Sequence, residues 1–182
     1  MPIKEDTRAS LMSNIGFRFM SLGFKFRDSI KPRMSILEEV GIKEGIHVLD
    51  YGCGPGGYIA PLAELVGKSG KIYALDIHPL AIQKVQKLAS KRRLDNVQTI
   101  LSDCKTGLPS DSIDLVLLYD VFHDLNNTNT VLAELHRVLK PKGILSFNDH
   151  HMKEEEIISQ ITSEGLCKLS AKGKNNYSFF KE

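Results

Sequence analysis

The chain has no tryptophan and only three cysteines in 182 residues. Cys53, Cys104 and Cys167 lie far apart, are odd in number and form no Cys-x-x-Cys pair, which argues against a disulfide framework or a structural zinc site. No stretch approaches the roughly 18 apolar residues that a membrane-spanning helix needs, so no transmembrane segment is expected. An excess of one charge is also missing: 24 basic and 22 acidic side chains leave a net charge of +2. No chain-wide field recruits nucleic acid or an anionic membrane. The first ten residues are polar and charged rather than a basic stub ahead of an apolar run, so the expected compartment is the cytoplasm, with reduced thiols. Oligomeric state leaves no signal.

What is present suits one globular domain, with 42% hydrophobic and 25% charged residues and no repeat or long linker. From residue 46 onward, short β-rich runs alternate with helical periodicity, the pattern of a parallel sheet with helices on both faces. Strands are predicted at His47–Asp50, Lys71–Asp76, Val97–Leu101, Ile113–Tyr119, Gly143–Asn148, Leu166–Ser170 and Tyr177–Lys181. The fourth is nearly all apolar, as a central strand buried on both faces requires. A turn over Gly173 to Asn176 makes the last two strands antiparallel neighbours. Ala81, Val85, Leu88 and Ala89 form one helical stripe, and Val131, Leu132, Leu135, Val138 and Leu139 a second. Pro79 opens the first helix; Thr128 or Asn129 caps the other, which Pro141-Lys142-Gly143 ends. Ile157, Ile158 and Ile161 mark a last helix.

Residues 1–45 differ, with helices predicted near Arg8–Leu22 and Pro32–Val40 and no strand pattern. Through residue 35, seven basic side chains (Lys4, Arg8, Arg18, Lys25, Arg27, Lys31, Arg33) face only Glu5, Asp6 and Asp28, among Phe17, Phe19, Phe24 and Phe26. This mixture suits an apolar lid, an anionic ligand, a membrane surface or an amphipathic helix packed on the domain. We read 1–45 as a helical lid segment and 46–182 as the main domain.

The stretch VLDYGCGPGG, residues 48–57, runs from a strand through a glycine-rich turn into a helix beginning near Tyr58. Such glycines let a ligand approach the backbone. Asp50 sits directly before them, where it would repel a dinucleotide's pyrophosphate and favour a cationic ligand. S-adenosylmethionine has that charge, a sulfonium and an ammonium, and its carboxylate suits the N–H groups at a helix start. Asp76 ends the next strand, where a carboxylate accepts from ribose hydroxyls, with Ile77 placed to pack on adenine. Asp103 follows the third strand, in reach of an adenine amino group. Three acids at successive strand ends mark a site, since open α/β sheets bind ligands at their carboxyl edge.

In this order, VLDYGCGPGG, LDIHP, LSDCKTGLPSDSIDLVLLYDVFHDL and ELHRVLKPKGIL resemble class I S-adenosylmethionine-dependent methyltransferases, nearest the ubiquinone and menaquinone biosynthesis C-methyltransferase-like group. The resemblance spans about residues 32 to 150. It implies an α/β, Rossmann-like, seven-stranded and mostly parallel sheet with an antiparallel last strand. It also implies a cofactor pocket lined by Asp50, Gly52, Gly54, Asp76, Ile77, Asp103 and Cys104, the last mainly through backbone. Tyr51, Cys53 and Tyr119 are added as neighbours, Cys53 being read as a small packing residue rather than a nucleophile.

The expected activity is in-line methyl transfer to a small-molecule acceptor. Chain order reverses between the first and fourth strands, which places the acceptor against Tyr51, Tyr119, Asp120, Phe122 and His123, with Asn148, Asp149, His150 and His151 on the next edge. Methyl transfer from a sulfonium needs positioning and the right acceptor protonation more than a nucleophilic side chain. His123 is the candidate base and His150 the candidate second pocket histidine. Asp120, Asn148 and Asp149 are oxygen ligands of the type found in metal-dependent catechol-type O-methyltransferases, but the motifs point elsewhere and no metal is expected. No Asn-Pro-Pro-Tyr or Asp-Pro-Pro-Tyr base-methylation motif is present, so RNA or DNA acceptors rank behind small molecules, and an RNA/protein methyltransferase stands as a lesser alternative. A cofactor-binding pseudoenzyme or partner-regulating protein, and a nicotinamide oxidoreductase, stand as alternatives.

Overall fold

A computed structural model describes residues 33–182. The predicted helix at Arg8–Leu22 lies outside the described residues, as does Pro32. Helix α1 (Arg33–Glu38) precedes β1 (His47–Tyr51), α2 (Ile59–Val66), β2 (Lys71–Asp76), α3 (Pro79–Arg92), β3 (Val97–Leu101) and β4 (Ile113–Tyr119). A 3-10 turn (Phe122–Asp124) then leads to α4 (Thr128–Val138), β5 (Leu139–Asn148), α5 (Glu154–Thr162), β6 (Cys167–Lys172) and β7 (Tyr177–Lys181).

The described strands form one sheet in the order β3-β2-β1-β4-β5-β7-β6. β1 pairs in parallel with both β2 and β4, while β7 is antiparallel to β5 and to β6. The chain therefore reverses direction across the sheet between β1 and β4, and the carboxyl ends of these strands open a crevice.

Side-chain alternation along each strand divides the core between the two faces. Val48, Leu115, Leu117 and Tyr119 pack with Leu37 of α1, Ile59, Leu62 and Val66 of α2, and Val85 of α3. Leu49, Val116, Leu118 and Phe147 pack on the other face with Val131, Leu132, Leu135 and Val138 of α4 and Ile157 and Ile161 of α5. Pro79 takes the first turn of α3, where a missing N–H costs nothing, and His78 Nδ1 accepts from Leu80 N.

Besides shifts of one or two residues at β1, β6 and α1, two element ends differ from expectation in kind. α4 starts at Thr128 after Asn127, which makes no side-chain cap. β5 begins at Leu139, so Pro141-Lys142-Gly143 lies inside a strand instead of ending a helix. The β4–β5 register shifts between the Ile113–Leu139 and Leu115–Ile144 pairs, and Lys142 takes φ +65°. Such a bulge accepts a proline because its missing N–H is not needed by the ladder.

Residues 33–45 of the segment read as a lid pack on the domain: Leu37 is fully buried and Gly45 N donates to Val66 O. The β6–β7 turn ties onto α1, with Asn176 Nδ2 donating to Ile36 O at 3.0 Å and Asn175 N to Glu39 Oε2 at 3.0 Å.

The sheet face under α4 has its tightest aromatic contact at Phe147, fully buried with its ring edge-on to Phe122 at 5.3 Å. Phe147→Ala removes this packing and leaves a cavity, an expected loss of about 3–5 kcal/mol that urea unfolding followed by circular dichroism measures.

Candidate functional site

At the end of β1 the backbone folds over the neighbouring strand: Gly52 N and Cys53 N both donate to Leu75 O at 2.9 Å. Gly52 holds φ +77°, and a Cβ there would lie 2.7 Å from Val121 Cγ2, so both dihedral and space demand glycine. Asp76, the last residue of β2, holds the turn from the side. Its Oδ2 accepts from Gly54 N at 2.8 Å and its Oδ1 from His78 N at 2.7 Å. Burial raises its pKa and these N–H groups oppose the rise. Cys53 is buried and its thiol is pushed well up by burial, which makes it a packing residue.

Asp50 is the unusual group. It is 2% exposed, and its Oδ2 accepts no hydrogen bond from any described residue. Burial pushes its pKa up to about 7; Arg33 pulls it down and Asp76 pushes it further up. The Arg33 guanidinium lies 4.4 Å from the Tyr58 ring centroid. A Cβ on Gly57 would stand 2.2 Å from Arg33 Cζ, so this glycine admits the guanidinium. Tyr58 meets Tyr119 edge-on at 5.1 Å, and the Tyr119 hydroxyl shares a 2.7 Å hydrogen bond with Ser146 Oγ.

Toward β3, the Tyr51 hydroxyl donates to Asp103 O at 3.1 Å, which ties the end of β1 to the loop after β3. The Asp103 side chain is exposed, and Ile77 and Cys104 are half-buried. Their loop is anchored by Glu134 of α4, whose Oε1 accepts from Thr106 N at 2.9 Å and Thr106 Oγ at 2.7 Å. Arg137 pairs with the same carboxylate, and these bonds hold Glu134 down at about 2.

At the carboxyl ends of β4 and β5, Asp120 takes φ +51° and its N donates to Asn148 O at 2.7 Å. Phe122 is 2% exposed and packs edge-on to Phe147 in the core. His123 Nδ1 lies 2.8 Å from Asp149 Oδ2, His150 Nδ1 pairs with Asp120 Oδ1, and the His151 ring sits between, 4.2 and 4.1 Å from the other two centroids. Among the described residues no three His, Cys, Asp or Glu side chains are grouped to hold a metal ion. A groove of about 620 Å³ lies elsewhere, at the amino ends of β2 and β3, with opposed charges from Lys68, Arg92 and Arg93 against Glu64 and Asp95.

Arg33, the Glu134–Arg137 pair and the Asp149 partnership were not singled out from sequence. Only Glu134 and Arg137 left a local signal, their i,i+3 spacing on one helix face.

A family model described as a methyltransferase domain matches residues 42–181. The chain belongs to that family. The demethylmenaquinone methyltransferase of Geobacillus stearothermophilus is 31% identical over 78% of this chain and 62% of that protein. The chain thus spans about three fifths of that curated relative. The ubiquinone/menaquinone biosynthesis C-methyltransferase of Pseudoalteromonas translucida is 26% identical over 99% of the chain and 78% of its own length. Among solved structures, a SAM-dependent methyltransferase from Aquifex aeolicus superposes with a TM-score of 0.75 at 27% identity, covering 85% of this chain and 91% of that one. An S-adenosyl-L-methionine-dependent methyltransferase fold from Methanococcus maripaludis gives 0.78 at 15% identity over 94% and 97%. Arg33 lies outside the residues of the methyltransferase-domain match.

The buried Asp50 makes the stability of this methyltransferase domain depend on pH. With its folded pKa near 7 against an ordinary 3.8, the folded state holds the extra proton between these values, so stability falls as pH rises through that window. Asp50→Asn is expected to flatten this slope and raise the ligand-free melting temperature at about pH 8. Calorimetric melts across the window check it, and equal slopes in both chains would place the effect on other groups.

Proposed function

We propose that this methyltransferase domain transfers the methyl group of S-adenosylmethionine to a small-molecule acceptor held between the loops after β4 and β5. One observation carries the reading: a buried carboxylate oxygen on Asp50, without a donor among the described residues, at the strand end where the glycine-rich turn begins. An ammonium supplies both the missing donor and the missing charge. The residues present therefore fit this cofactor and disfavour a pyrophosphate.

In this reading Asp50 takes the cofactor's ammonium, and Arg33 with the backbone N–H groups at the start of α2 takes its carboxylate. Asp76 keeps acceptor capacity for ribose hydroxyls beyond the two N–H groups it already binds, because an ionised carboxylate offers about four lone-pair sites. Ile77, Asp103 and the backbone of Cys104 take the adenine. Gly52 and Gly54 line the cofactor pocket, while Tyr51, Cys53 and Tyr119 support the walls. When bound, the cofactor supplies an electrophilic methyl group on a good leaving sulfur.

His123, Asp120 and His150 face the acceptor, with His123 as the base that takes its proton. Such a base is useful for an acceptor whose nucleophile must lose a proton, as in a hydroxylated aromatic, and two relatives are named for demethylmenaquinone and aklanonic acid. Among the described residues no helix is long and apolar enough to cross a membrane. We place the reaction in the cytoplasm, and we assign the segment read as a lid, residues 1–45, the covering role read from its sequence.

Isothermal titration is expected to show S-adenosylmethionine and S-adenosylhomocysteine competing for one site, with NAD much weaker. Arg33→Ala should weaken both by about 1.5–3 kcal/mol, the worth of a charged hydrogen bond. Incubation with a chemically reduced naphthoquinone and methyl-labelled cofactor tests transfer. Tighter binding of NAD than of S-adenosylmethionine would overturn the proposal.

A further inference from the structure

The loops after β4 and β5 exchange partners crosswise. His123 follows β4 and binds Asp149, which follows β5; His150 follows β5 and binds Asp120, which ends β4. The two pairs differ in depth. The Asp149 side chain is fully buried and His123 is 26% exposed, whereas the His150 side chain is 58% exposed.

Asp149 is saturated in a directed way. Its Oδ2 accepts from His123 N at 3.2 Å and its Oδ1 from His151 N at 3.1 Å, and both oxygens lie within 3.0 Å of His123 Nδ1. An ionised carboxylate only accepts, so the ring nitrogen facing it must carry a hydrogen. In neutral imidazole the other nitrogen is then an acceptor. His123 Nε2 has Asp124 Oδ2 at 3.5 Å, on a side chain 75% exposed, too long for a strong bond. The His151 ring stacks beside it, with the two ring centroids 4.2 Å apart.

We propose that Asp149 is the positioning residue that fixes neutral His123 as its Nδ1–H tautomer and leaves the Nε2 lone pair available to the acceptor crevice. The Asp120–His150 pair holds the two loops in register at the mouth, which keeps the ring from turning. This rests on the methyltransferase reading only for the identity of the proton. In that reaction the acceptor's new bond to carbon forms as the methyl–sulfur bond breaks with its pair returning to sulfur, and the acceptor's proton passes to His123 Nε2. Asp149 then faces an imidazolium, whose charge it stabilises, until the proton leaves to solvent.

The test is a long-range proton–nitrogen NMR spectrum of the full chain with labelled histidine, recorded above about pH 8, where an ordinary imidazole is neutral. The His123 signals are assigned by their loss in His123→Asn. The expected spectrum has a pyrrole-type Nδ1 and a pyridine-type Nε2, and Asp149→Ala loses that preference. A parent ring protonated at Nε2 alone, or at both nitrogens, overturns the proposal, as does an Nδ1–H tautomer that survives Asp149→Ala. Should Asp149→Ala fold poorly, Asp149→Asn is recorded in its place, and an Nδ1–H preference as strong as the parent's in that variant likewise overturns the proposal. Titration of the parent with S-adenosylmethionine is separate: failure to bind sinks the methyltransferase reading and leaves the tautomer result standing.

Discussion

The parallel pairing of β1 with β4 is the constraint on which the rest of the site depends. Val48 to Tyr51 run in register with Leu115 to Leu118, and both strands are buried on their two faces. Because successive crossovers are right-handed, the helices after β1 and β2 cover one face and those after β4 and β5 the other. The loops at the carboxyl ends of β1 and β4 are thereby sent in opposite directions, and the space between them is left to a ligand. Asp50 stands at that divide, one residue before β1 ends.

The position has an electrostatic cost. A carboxylate enclosed by the glycine turn, Tyr58 and Tyr119 loses its water, and Arg33 answers that loss only in part. Nearby Asp76 is also acidic, yet its two N–H partners organise the turn. The same residue type thus does different work at adjacent strand ends. Asp76 shapes the pocket in the absence of a ligand, whereas Asp50 has a place for a positive one. Function and fold compete at Asp50, as expected where a site stores unsatisfied polarity.

Much of this was legible in sequence because the signals are local. Period-two apolar strands, the glycines before α2, Pro79 at the start of α3 and the acids at Asp50 and Asp76 all act through backbone conformations within a few residues. Where the reading departed from the structure, the cause was not local. Pro141 looks like a helix stop, but the β4–β5 register shift absorbs it into a strand. Phe122 and His123 are neighbours in sequence, yet Phe122 packs on Phe147 in the core while His123 meets Asp149 from the next loop.

By itself, then, the sequence determined the α/β alternation, the order of strands along the chain and the acid-bearing strand ends, since period, turn chemistry and capping depend on neighbours along the backbone. Tertiary structure alone decided which groups meet. Tyr51 reaches Asp103, Glu134 holds the β3 loop through Thr106, Asn176 reaches back to Ile36, and His123 finds Asp149. Each of these bonds spans at least 26 residues, and its length is set by how whole strands and helices pack, which no local pattern encodes.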